Sequence, residues 1–415
     1  MTGRDLPLLL TEVPGPASRA WVDRLARHEC PAITARRARR AAALGAADTD
    51  PVVWSEAVGV NVSDVDGNLF VDLCAGFGVA AVGHRHPAVV AAGHAQLARL
   101  PHAMGDAFPD VQRIALLERL CALTGMDRVI FGSSGSDAVE AALKTARVAT
   151  GRDRVLAFTG GYHGLSSAPL AALGYHRSAF HEPFSPFLGQ HVDLAPWAGD
   201  WPDLEPYAAV LVEPVQGRGG MRSPPAGWLG ALHSAARAAG ALVIHDEIYS
   251  GLGRTGQLLA AGDMRPDLLC LGKALGGGFP ISACLGTAGA MDAWGASKGE
   301  AIHTQTFLGN PVGCAMALAV LDVIEAEDLV ARARVEGDRF AAALGGLPGV
   351  HAVSGRGLML GVHVADSLGV TRRMLERGWI VLPCGERGEA LGLTPPLTTP
   401  RVVLDAAVSA LAECL

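Results

Sequence analysis

From Arg128 onward, short apolar runs alternate with stretches whose apolar positions recur at helical spacing. RVIFGSS at Arg128 precedes a helical stretch over Ser136–Thr150, and RVLAFTG follows at Arg154. AAVLVEPV at Ala208 leads to a second helix, Trp228–Ala239, and then come ALVIHDEI, LLCLGKAL and ISACLGT. Runs this continuously apolar suit strands covered on both faces. Interleaved with helices, they predict an α/β fold with a central, mostly parallel sheet.

The flanks read differently. The first stretch, to about Asp50, is mixed and arginine-rich and predicts an arm and a helix. Val58–Asp72 holds two strand-like runs, GVNVSDVD and NLFVDL, around an Asp66-Gly67 hairpin signal. Asn310–Leu347 predicts a long helix broken near Glu325–Asp328. Beyond it, HAVSGRGLMLGVHV, WIVLPCG and ALGLTPPL read as strands mixed with two helices. The expected division is an arm and part of a small domain over 1–75, a large domain over 76–312, and a small α+β domain over 313–415.

Composition narrows the function classes. The 415 residues allow one large domain or two to three smaller ones, and the net charge of −7 is mild. Arg36–Arg40 is the one basic cluster, and it reads as a solvated helix face, so no nucleic-acid partner is expected. The eight cysteines form no CxxC pair and suit free core thiols. No signal-peptide pattern opens the chain and no apolar window is long enough for a membrane span. A cytoplasmic protein without a membrane partner is the expectation.

Lys273 follows the apolar run LLCLG and precedes Gly276–Gly278 and Pro280. A lysine amine at the end of a buried strand is costly to desolvate while charged, which lowers its pKa and makes it nucleophilic. Asp246-Glu247 ends another apolar run. A buried lysine and a buried aspartate at two strand ends suit pyridoxal phosphate, the lysine forming a Schiff base and the aspartate pairing with the ring nitrogen. A solvated edge lysine and an acidic loop start are the plainer alternatives. Gly135 and Ser136, at a strand-to-helix turn, offer bare amides and a hydroxyl to an anion, or simply cap the helix. Tyr162 in GGYHG is a ring for a flat cofactor or a surface aromatic. Glu213 stands at a further strand end, where a solvated acid is also at home. GLGRTG (Gly251–Gly256) matches a dinucleotide fingerprint weakly, and His84–His86 lacks further ligands at metal spacing, so no metal is expected.

Seven segments in order, DGNLFVDLCAGFGVAAVGHRHP, SGSDAVEAALKTAR, GYHG, EPVQGRGG, DEIYSGLGRTG, LGKALGGGFP and TFLGNP, resemble the class III aminotransferases of the 4-aminobutyrate and ornithine type. These are pyridoxal-phosphate enzymes of fold type I. The resemblance implies that Lys273 is the Schiff-base lysine and Asp246 the pyridinium partner. It implies Gly135 and Ser136 as phosphate binders, with Tyr162 and Ile248 on opposite faces of the ring. Thr306 resembles the hydroxyl that reaches the phosphate of the partner subunit, which implies a homodimer with shared sites. The implied reaction moves an amino group from an amine or amino acid to a keto acid or aldehyde.

Three departures mark the substrate side. Tyr249 stands where the family often has a glutamine that meets the cofactor's phenolic oxygen. Leu165 and Gly392 stand where members often carry arginines for a substrate carboxylate, directly or by pairing with Glu213. The expected pocket is less cationic than in a 4-aminobutyrate enzyme, with Phe77 as an apolar wall. It suits an amine on a neutral or basic chain, or an amino acid whose carboxylate is held elsewhere, Arg218 being one candidate. A racemase or epimerase on the same lysine is the nearest rival reading. A nicotinamide oxidoreductase, from GLGRTG, is the rival from another class.

Overall fold

The computed structural model describes residues 1–33, 52–189 and 191–415. The basic run Arg36–Arg40 lies outside them. Helix Pro16–His28 is followed by an antiparallel meander of β1 (Trp54–Val58), β2 (Asn61–Asp64) and β3 (Leu69–Asp72). The turn between β2 and β3 is wider than a two-residue hairpin. Asp64 Oδ1 accepts the amides of Asp66 and Asn68, and Gly67 takes φ +84°. That positive φ is the reason for a glycine there.

The central sheet has seven strands: β4 (Arg128–Gly132), β5 (Arg154–Phe158), β6 (Val192–Ala195), β7 (Tyr207–Val212), β8 (Leu242–Asp246), β9 (Leu268–Leu271) and β10 (Ser282–Gly286). Their order is β4-β10-β9-β8-β7-β5-β6, and β10 alone runs against the others. Alternation along β7 divides two cores. Ala209 and Leu211 pack beneath helix Gly135–Thr150, whereas Val210 and Val212 pack beneath helix Trp228–Ala239. Both faces are thus covered, as the apolar runs require.

Helices Pro311–Ala326 and Leu329–Gly345 replace one long helix. The break falls at Asp328, at φ +46°. The C-terminal sheet holds β11 (Val350–Arg356), β12 (Met359–Val364), β14 (Leu382–Cys384) and β15 (Ala390–Leu393). WIVLPCG is not one strand. Its first part, β13 (Trp379–Ile380), pairs parallel with β3 of the meander, and only β14 joins β15. The helices Ser367–Leu375 and Arg401–Cys414 complete this region.

GLGRTG leads into turns rather than a helix, so it has no dinucleotide-binding context. Its Arg254 is among the largest fully buried side chains. Arg254 Nη1 donates to the carbonyls of Leu358 and Pro395, and burial holds its pKa down to about 10. This arginine ties the segment after β8 to the C-terminal sheet. Arg254→Ala leaves two buried carbonyls unpaired and is expected to cost roughly 2–4 kcal/mol. Urea unfolding measures it, and a loss under about 0.5 kcal/mol would remove Arg254 from this role.

Candidate active site

Three neighbouring strands end side by side. β7 delivers Glu213, β8 ends in Asp246, and β9 leads through Gly272 to Lys273. The carboxyl ends of parallel strands are where α/β sheets bind ligands. Lys273 itself has φ +42°, uncommon for a residue with a side chain, and Gly277 and Gly278 follow at +56° and +114°. The glycine triplet lets the chain turn away while Lys273 faces a cavity of about 270 Å³. Phe77, Tyr162, Glu213, Tyr249, Lys273 and Gly392 all line that cavity.

The Lys273 amine is enclosed by protein, and desolvation lowers its pKa to about 8. Asp246 and Glu213 oppose the shift, and Arg218 adds to it. Nζ lies 4.2 Å from the centre of the Tyr249 ring. That ring is held between two glycines. A Cβ on Gly78 or Gly217 would stand 2.5 or 2.3 Å from its carbons. The Tyr249 hydroxyl lies 3.2 Å from Thr394 Oγ1, and burial pushes the phenol up to about 12. It is therefore an uncharged phenol at neutral pH.

Asp246 is 4% exposed, and its Oδ2 sits 2.8 Å from His163 Nδ1. Glu213 is buried, not solvated. Burial first, then Asp246, pushes its carboxyl well above the usual range, and Oε2 has no hydrogen-bond partner. His163, Glu213 and Asp246 bring one ligand atom each to within 4.8 Å of one another. The trio makes a poor cation site, because Asp246 is committed to His163 and burial opposes a charge on Glu213. His84 and His86 face Asp72 and Glu327 instead.

The anion end lies at helix Gly135–Thr150. Ser134 caps it, and Asp137 Oδ2 takes the amides of Ser133 and Ser134. The Asp137 amide returns to Ser134 Oγ. Among the described residues, what remains open is the pair of amides on Gly135 and Ser136, at the positive end of a 16-residue helix. Ser136 Oγ accepts from the Leu165 amide at 3.2 Å and keeps its own proton to donate. Ile248 closes against this turn, since a Cβ on Gly135 or Gly272 would lie 3.0 or 3.3 Å from its side chain.

Two expected residues lie elsewhere. The Leu165 side chain is 47% exposed and outside the cavity wall. Thr306 is an exposed turn residue that does not line the cavity. Conversely, His163 escaped notice, although GYHG carries it one residue from Tyr162. Met221 and the β14 segment Leu382–Cys384 also line the cavity. Phe77 is 54% exposed and forms wall, not core.

Two open amides with a hydroxyl, a buried aspartate, an aromatic ring and a desolvated amine match the parts of pyridoxal phosphate. Asp246→Asn removes the negative charge that most supports the Lys273 ammonium. Lys273 should then lose its proton below about 8, not above it. The test is the pH dependence of acylation of Lys273 in cofactor-free protein, mapped by mass spectrometry. An inflection that stays put or rises contradicts the assigned electrostatics.

Comparison with known proteins agrees. The family model "Aminotransferase class-III" matches residues 44–200 and 202–415. An acetylornithine aminotransferase from Mycobacterium bovis is 38% identical over 384 residues, 88% of this chain and 92% of that protein. The ornithine aminotransferase structure from Toxoplasma gondii superposes with a TM-score of 0.84 at 30% identity, covering 96% of this chain and 94% of that one. A PLP-bound amine transaminase from an uncultivated Pseudomonas species gives 0.80 at 30% identity, with 88% and 95% covered. These relatives give the racemase and oxidoreductase readings no support. The chain belongs to the class III aminotransferases, enzymes of the fold type I architecture that transfer amino groups with pyridoxal phosphate.

Proposed function

We propose that Lys273 is the residue that carries the cofactor covalently, and that the donor is an amine or amino acid with an accessible terminal amine. The observation that carries the reading is the desolvated Lys273 amine beside Asp246 at the ends of adjacent strands. Bound pyridoxal phosphate would supply a carbon that accepts the amino group and a ring that withdraws electrons. Asp246, oriented by His163, keeps a proton on the ring nitrogen. The Gly135 and Ser136 amides and the Ser136 hydroxyl hold the phosphate. Tyr162 and Ile248 confine the ring, and the Tyr249 phenol takes the place of the glutamine amide. Lys273 Nζ would be the base for the proton on the donor's amine-bearing carbon. Acetylornithine and ornithine, named for relatives, are donors of the expected kind.

The working unit in this reading is a cytoplasmic homodimer in which residues 76–312 form the cofactor-binding domain. Among the described residues, no helix is long and apolar enough to cross a membrane. Phe108, Ile302 and Phe307 are 68%, 77% and 61% exposed. His102 lies edge-on to Phe307 at 5.4 Å, and Thr304 bonds Asp106 at 3.2 Å, which ties the two loops together. Thr306, next to Phe307, would reach the partner's phosphate from this face.

Borohydride reduction and peptide mapping should place the cofactor label on Lys273. Label on another lysine would sink the reading. Thr306→Ala should weaken cofactor retention about tenfold or more, the worth of one hydrogen bond to a charged group, without unfolding the chain. An active, cofactor-saturated monomer in sedimentation would refute the shared site.

A further inference from the structure

We propose that Arg218 is the residue that holds a substrate carboxylate in this cavity. The proposal rests on the reading of Lys273 as the reacting amine. Arg218 lines the cavity together with Lys273, and among the described lining residues these two are the cations. The guanidinium lies 4.5 Å from the centre of the Tyr162 ring and 5.8 Å from that of Tyr175. Contact with two rings restricts where the guanidinium can sit before any ligand arrives. Among the described residues the guanidinium makes no ion pair and no hydrogen bond. A planar cation with open donors facing a cavity is matched by a carboxylate.

The backbone beneath it is fixed as well. The Arg218 carbonyl accepts the Gly385 amide at 2.8 Å. Gly217 and Gly219 flank it in places too tight for a side chain, where a Cβ would come within 2.3 Å of Tyr249 and 2.6 Å of Gln216. The neighbouring positions supply no second substrate-side cation among the described lining residues, and Gly392 brings no side chain to the wall. Arg222 is turned to Gln216. Leu165 lies outside the wall. Burial first, then Asp246, pushes the Glu213 carboxyl well above its ordinary range, which weakens the repulsion an incoming carboxylate meets there.

The test uses the holoenzyme and its Arg218→Ala and Arg218→Lys variants. Succinate and glutarate, which bring carboxylates but no amine, are titrated by calorimetry. In parallel, kcat and KM are measured for β-alanine, 4-aminobutyrate and 5-aminovalerate, each against the alkylamine of equal chain length. Arg218→Ala should weaken the tighter diacid about tenfold or more. KM for the best ω-amino acid should rise by a similar factor while kcat moves less than about twofold, the mark of binding lost equally in ground and transition states. KM for the matched alkylamine should rise by a clearly smaller factor. Arg218→Lys should recover part of the binding, since the charge stays and the fork is lost. Undetectable diacid binding by the wild type, unchanged binding by Arg218→Ala, or equal KM rises for acid and alkylamine each overturns the proposal. A borohydride label away from Lys273 overturns the earlier reading instead and leaves the diacid result standing.

Discussion

An ammonium removed from water survives only where anions stand near it. That constraint orders this site. Desolvation takes the Lys273 amine towards its neutral form, and Asp246 and Glu213 limit the shift. The balance leaves it at about 8, so at neutral pH a usable fraction is already the free base. The geometry behind the balance is the parallel register of β7, β8 and β9, which brings three strand ends to one edge. Everything further out, including the open amides at Gly135 and Ser136, is placed relative to that edge.

Much of this was legible from residue order. Apolar runs ending in a charged residue revealed the strand ends at Asp246 and Lys273, because a buried strand can release a charge only where it stops. The helix start at Gly135 was equally plain, since small residues before an amphipathic stretch leave amides open. What stayed hidden was company in space. His163 touches Asp246 across 83 positions of chain, and neither local pattern shows it. Glu213 read as solvated as easily as buried, because one residue past a strand end says nothing of the loops that cover it. WIVLPCG gave no sign that the chain changes sheets at Val381, since both halves are short and apolar.

Tyr249 shows how one side chain constrains its neighbours. A ring wider than an amide needs space on both faces, and Gly78 and Gly217 provide it. The phenol, uncharged and bonded to Thr394, can donate to an oxygen but brings only one hydrogen where an amide brings two. Any exchange at 249 therefore acts through packing as well as through hydrogen bonding.

The split of WIVLPCG bears on how the molecule is made. The meander at residues 54–72 acquires its fourth strand from Trp379–Ile380, with Val71 donating to Gly378 and Leu73 to Ile380. During synthesis, the edge of β3 must wait for some three hundred further residues to leave the ribosome. Until then it presents unpaired amides and carbonyls, an open template for pairing with another nascent chain. The beginning of this protein is thus finished nearly last, and crowding by sister chains is the hazard it faces while it waits.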